Sequence, residues 1–129
     1  MYPDHLKYTK EHEWALREGD NVRVGITYYA QDSLGDIVYV DLPAQGTTVT
    51  MDQPFGEVES TKSVSDLFAP VSGTVLERNA ALEDAPELVN QDPYDKGWML
   101  LIEPSDPSQF DQLLSASQYQ VLIEAGDAG

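Results

Sequence analysis

At 129 residues the chain suits one domain, and at 41% hydrophobic it can bury a core without metals or cross-links. It has no cysteine, which excludes disulfides, thiolate metal sites and a cysteine nucleophile, and is compatible with a reducing compartment. With 7 Lys and Arg against 23 Asp and Glu, the formal charge is −16: no nucleic-acid partner is expected, and the charge serves either solubility alone or also steering toward basic docking faces.

Met1–His5 shows no cationic stretch followed by an apolar run, so no signal peptide is expected. Short apolar runs such as Trp98–Ile102 fall well below a membrane span. Strands are expected from Asn21–Ile26, where Val22, Val24 and Ile26 share a face after a Gly19-Asp20 turn. Thr27 and Gly35 bracket a short capped helix. Asp36–Leu42 is β-branched and expected to be buried on both faces, with Pro43 ending it. Further strands are expected over Thr47–Thr50, Phe55–Ser60, Ser63–Phe68, Gly73–Arg78 and Trp98–Glu103, with a helical piece near Pro86.

From Asp106 the pattern becomes helical. Asp106 caps, Pro107 opens, and Phe110, Leu113 and Leu114 recur at helical spacing. Another short helix is expected from Ser117, with Tyr119, Leu122 and Ile123 apolar, and Ala125–Gly129 is expected to fray. The fold class is therefore mainly β, a single domain over 1–129 with short helices and a C-terminal helical segment over about 106–124.

The chemistry concentrates in a hairpin over 55–68. Folding at Thr61-Lys62 sets Phe55 opposite Phe68, Glu57 opposite Asp66, and Ser60 and Ser63 beside the tip. Large side chains anchor the base, and small polar ones leave the top open around Lys62. Thr-Lys is a poor two-residue loop for a primed turn, and facing acids cost stability. A lysine on a stiff tip suits covalent attachment of a cofactor, since a modifying enzyme reaches its amine without unfolding the domain. Tethering then raises the cofactor's local concentration at each docked enzyme. An ordinary solvated turn lysine is the alternative.

Other constellations carry less. His5 and His12, without cysteines, make a poor metal site, and His12-Glu13 lacks the second histidine of a zinc-protease helix. No phosphate-binding glycine loop or nucleophile elbow is present. Trp14 and Trp98 read as core or rim aromatics.

Taken in order, the segments Tyr8-Thr9, His12-Glu13-Trp14, Gly25-Ile26-Thr27 with Ala30, Leu34-Gly35-Asp36, Leu42-Pro43, Gly46, Glu59-Ser60-Thr61-Lys62 with Asp66, Ala69–Gly73, Asn90, Pro93-Tyr94 and Gly97-Trp98 resemble the H proteins of the glycine cleavage system. The resemblance runs from about Tyr8 to about Tyr119. It implies a flattened β-barrel sandwich and lipoic acid bound as an amide on Lys62, in a non-catalytic carrier. The arm would visit a glycine decarboxylase, an aminomethyltransferase and a dihydrolipoamide dehydrogenase after loading by lipoate-attaching enzymes. It also implies a surface cleft sheltering the arm, walled by segments that include Glu13, Ser33 and Asp66. Thr61 stands where the family commonly has Val, and Ser33 where relatives often have His. Solvated carboxylates are the alternative for Glu13 and Asp66. A bacterial cytoplasm is the expected compartment, or a mitochondrial matrix for a processed chain. Three other readings stay open: a lipoyl or biotinyl domain of another complex, a lipoate relay, and an unmodified binding module.

Overall fold

The computed structural model of the chain describes residues 2–128, and side chains as far as Ala125. Two antiparallel sheets enclose the main core. The larger comprises β1 (Lys7–Tyr8), β2 (Glu13–Glu18), β3 (Asn21–Ile26), β5 (Thr48–Val49), β8 (Gly73–Arg78) and β9 (Leu100–Pro104), in the order β1-β2-β3-β9-β8-β5. The smaller comprises β4 (Ile37–Asp41), β6 (Pro54–Ser60) and β7 (Val64–Phe68), in the order β4-β6-β7. The helices are α1 (Tyr28–Leu34), α2 (Ala81–Asp84), α3 (Leu88–Gln91) and α4 (Ala116–Ala128), with a 3₁₀ helix over Pro107–Gln112. The mainly β sandwich with few helices is the class expected.

Val22, Val24 and Ile26 of β3 meet Val40, Val58 and Leu67 of the smaller sheet in one buried cluster. Alternation with period two therefore placed the face of β3 correctly. A second cluster lies on the other side of the larger sheet, where Leu6, Tyr8 and Trp14 pack against Ala116, Tyr119 and Ile123 of α4. These two cores explain why β1 and β2 escape a reading by alternation. Ala15 points into the first cluster and Trp14 into the second, so Glu13, Trp14 and Ala15 are buried in succession. Across from Trp14 stands Gly25, where a Cβ would lie 2.6 Å from the indole; only a bare Cα leaves room for the ring.

Several expectations need correction. Asp36–Leu42 is not buried on both faces: β4 is an edge strand, with Val38 48% and Tyr39 57% exposed. The Asp106–Leu114 segment is capped as expected, Asp106 accepting from the Ser108 amide, but it is a 3₁₀ helix that stops at Gln112. Leu114 instead pairs its backbone with Tyr8. The last helix starts before Ser117, behind a reciprocal cap: Ser115 N–H donates to Gln118 Oε1 and Gln118 N–H to Ser115 Oγ. It runs on through Ala128, so the stretch from Ala125 is helical, and only Gly129 of the expected frayed tail lies outside the described residues. The helical piece expected near Pro86 is α3; α2, which ends at Asp84, was not expected.

Candidate functional site

The β6–β7 hairpin pairs Glu57 with Asp66, Val58 with Ser65 and Glu59 with Val64, which is the register read from the sequence. At its base a bulge sets Pro54, not Phe55, opposite Phe68. The tip is Thr61-Lys62, and Lys62 is exposed. No primed turn forms: among the described non-glycine residues only His12 and Asp52 have positive φ. Ser60 supplies what the loop residues cannot. Its hydroxyl accepts from the amides of Lys62 and Ser63, both at 3.1 Å, and donates to Ser63 O at 3.2 Å. The Ser60 amide closes the loop on Ser63 O at 2.8 Å. Thr61 N–H donates to Asp36 O at 3.0 Å, tying the tip to the connection between α1 and β4.

The stem of Lys62 rests on Gly35. A Cβ on Gly35 would stand 3.1 Å from Lys62 Cε, and the φ of +83° there also favours glycine. The α1 helix reaches this point in two steps. Thr27 Oγ1 accepts from Ala30 N–H at one end, and Gly35 N–H donates to Gln31 O at the other. Both caps were legible in the sequence.

The remaining expected site residues are divided by the fold. Asp66 is exposed on β7, and Ser33 is exposed on α1, the helix that ends beneath the Lys62 stem. Glu13 is not a solvated carboxylate: it is 1% exposed. It accepts from Thr9 Oγ1 at 2.6 Å and from the Phe68 amide at 3.3 Å, capping the end of edge strand β7. Burial pushes its carboxyl up to about 8, against the lowering pull of those hydrogen bonds.

Thr9 and Phe68, the two partners of Glu13, also line an open hollow of about 320 Å³, with Lys10, Glu11, Met51 and Asp52 among its other walls. Glu13 thus lies behind the wall of this hollow. Strand β7 leads from the tip to it, six residues or about 20 Å at the usual rise. Sequence reading did not find the hollow, because its walls come from segments far apart in the chain. Next to Glu13, His12 Nδ1 lies 2.8 Å from the Tyr119 hydroxyl, which in turn lies 2.8 Å from Thr27 Oγ1. Burial lowers the pKa of His12, more than the Glu11 charge raises it. On the outer face of the smaller sheet, Asp41, Glu57 and Asp66 stand in one cross-strand row.

The sequence profile described as glycine cleavage H-protein matches residues 6–126. A glycine cleavage system H protein of Geobacillus kaustophilus is 59% identical over 124 residues, covering 96% of this chain and 98% of that protein. One of Halalkalibacterium halodurans is 57% identical over 121 residues, covering 94% of each. The crystal structure of a glycine cleavage system H protein from Mycobacterium marinum superposes with a TM-score of 0.83 at 46% identity, covering 91% of this chain and 94% of that one. Agreement of sequence along nearly the whole chain, and of fold at that level, leads to one conclusion: the chain belongs to the glycine cleavage H-protein family.

Proposed function

We propose that the chain is a lipoyl carrier, with Lys62 as its attachment point and no catalytic residue of its own. The observation that carries this reading is an exposed lysine on a hairpin tip held by Ser60 and Asp36, in a chain of this family. The residues fit the group. An amide needs a primary amine open to a modifying enzyme, and Lys62 has one on a loop whose backbone is pinned on both sides. Lipoate bound there would supply a redox-active dithiolane able to carry an aminomethyl group. The chain's own part is to keep the exposed Lys62 side chain seated beside Gly35, within reach of a modifying enzyme. Asp66 and Ser33 are the exposed side chains we assign to the surface the arm passes. Glu13 is assigned to the wall behind the hollow, through Thr9 and Phe68.

The partners in this reading are lipoate-attaching enzymes, a glycine decarboxylase, an aminomethyltransferase and a dihydrolipoamide dehydrogenase. A bacterial cytoplasm is the compartment we propose, since the relatives named above are bacterial. No helix among the described residues is long and apolar enough to cross a membrane. The core shared by both sheets supports reading 1–129 as one carrier domain.

The test is peptide mass spectrometry after incubation with lipoate, ATP and a lipoate ligase. Lys62 is expected to gain a lipoyl group, while Lys62→Arg folds and gains none, because a guanidinium does not form the amide. Glycine-dependent CO₂ exchange with the decarboxylase then separates the carrier from a lipoate relay. A folded wild-type chain left unmodified at Lys62 would sink the reading.

A further inference from the structure

We infer that Asn90, remote from Lys62 in sequence, is a positioning residue that sets the seat of the lysine. The inference rests on Lys62 being the attachment point. Two contacts define that seat: the Lys62 stem lies on Gly35, and the Thr61 amide bonds to Asp36 O. Both involve the short connection between α1 and β4. Gly35 and Asp36 belong to neither helix nor strand, so ladder hydrogen bonds do not fix them.

Besides the cap bond from Gly35 N–H to Gln31 O, a single amide side chain does. Asn90 Nδ2 donates to Gly35 O at 2.8 Å and to Gln31 Oε1 at 3.0 Å, and its Oδ1 accepts from Ile37 N–H at 2.9 Å. Gln31 is itself held, donating to Tyr28 O at 3.0 Å. Asn90 therefore grips the residue before Asp36 and the residue after it, leaving Asp36 O aimed at the tip. It uses both donors and one acceptor, so neither an aspartate nor an alanine can replace it. An aspartate in its place would lack both donors, and an alanine would leave Gly35 O and Ile37 N–H without this partner. Asn90 stands on α3, whose neighbouring Val89 is anchored in the core at 0% exposure. The seat of the lysine is thus referred to the core through α3.

A second asparagine offers a matched control. Asn79 Nδ2 donates to Lys96 O at 2.9 Å and Trp98 O at 2.8 Å, and its Oδ1 accepts from Ala81 N–H at 3.2 Å. The chemistry is the same, but Asn79 sits beside Val40 and Leu42, at the end of β4 away from Ile37. Asn79→Ala should cost similar stability without touching the seat.

The experiment compares wild type, Asn90→Ala and Asn79→Ala, each shown to be folded. Two readouts are taken: hydrogen exchange at the Thr61 amide, and steady-state lipoylation of Lys62 by a lipoate ligase with lipoate and ATP. For Asn90→Ala the Thr61 amide is expected to exchange faster, and kcat is expected to fall about tenfold with KM little changed, as for a misplaced reacting group. Asn79→Ala should match wild type in both. Should Asn90→Ala fail to fold, Asn90→Asp keeps the acceptor for Ile37 and is expected to show the same pattern. Unchanged lipoylation in a folded Asn90 variant, or equal losses in Asn79→Ala, would overturn the inference. Absence of lipoylation in wild type would instead strike the attachment reading, and the Thr61 exchange would still decide whether Asn90 holds the seat.

Discussion

Ser60 is 6% exposed, and its hydroxyl contacts three backbone atoms of the loop it precedes. The sequence shows a serine beside the lysine and a loop pair unsuited to a primed turn; that the serine itself closes the turn depends on its hydroxyl pointing inward. Ser60→Ala leaves the Lys62 and Ser63 amides without that acceptor. Because Lys62 and Ser63 are exposed and water can reach their amides, it is expected to cost about 0.5–1.5 kcal/mol in urea unfolding and to slow lipoylation at Lys62. Glu13 makes a different point. Its motif marks the position, but only burial reveals a carboxyl raised to about 8. The folded state holds its proton where the unfolded chain has lost it, so its contribution is fully present below about pH 4.5. It is then lost as pH rises toward about 8, at up to ~1.4 kcal/mol per pH unit. Glu13→Gln keeps the shape without the charge. The variant should gain on wild type as pH rises from 5 to 8.5; parallel stability curves for the two proteins would rule this out.

At the scale of elements, legibility followed local signals. Thr27 and Gly35 announce α1 because each cap is a contact within a few residues. Strand β3 shows its face because only one side meets the main core. Strand β2 hides because α4, from the far end of the chain, covers its other side. The same dependence makes α4 more than an appendage. Tyr119 stacks on Tyr8 with ring centroids 4.8 Å apart, and its hydroxyl joins His12 to Thr27, the residue that caps α1. Tyr119→Phe keeps the stack and removes the bridge. It is expected to cost about 1–2 kcal/mol, with faster amide exchange in the first turn of α1. A loss confined to α4 would show that the bridge does not reach α1.

For the whole molecule the dominant quantity is charge. Of 23 acids and 7 cations, the ion pairs among the described residues are Arg23–Glu18 at 2.6 Å and Arg78–Glu83 at 3.1 Å. Three acids of the smaller sheet, Asp41, Glu57 and Asp66, face one another rather than cations. Repulsion on this scale weakens as salt shortens the Debye length from about 30 Å at 0.01 M to about 8 Å at 0.15 M. The melting temperature is expected to rise over that range of NaCl, while association with a basic-faced partner slows. A melting temperature that falls instead would mean that the paired charges outweigh the repulsion.

The class of fold, the hairpin register from Glu57 to the tip, the caps of α1 and the lysine at that tip can all be read along the chain, whereas the bulge at the hairpin base cannot. The legible features follow from neighbours in the chain, from period-two patterning and from a run of family motifs. Tertiary structure alone decided that Glu13 is buried, that a hollow opens beyond Phe68, and that Asn90 grips the connection on which Lys62 rests. Each of these depends on which distant segments exclude water from a side chain or offer it a partner, and that information exists only once the sheets have closed.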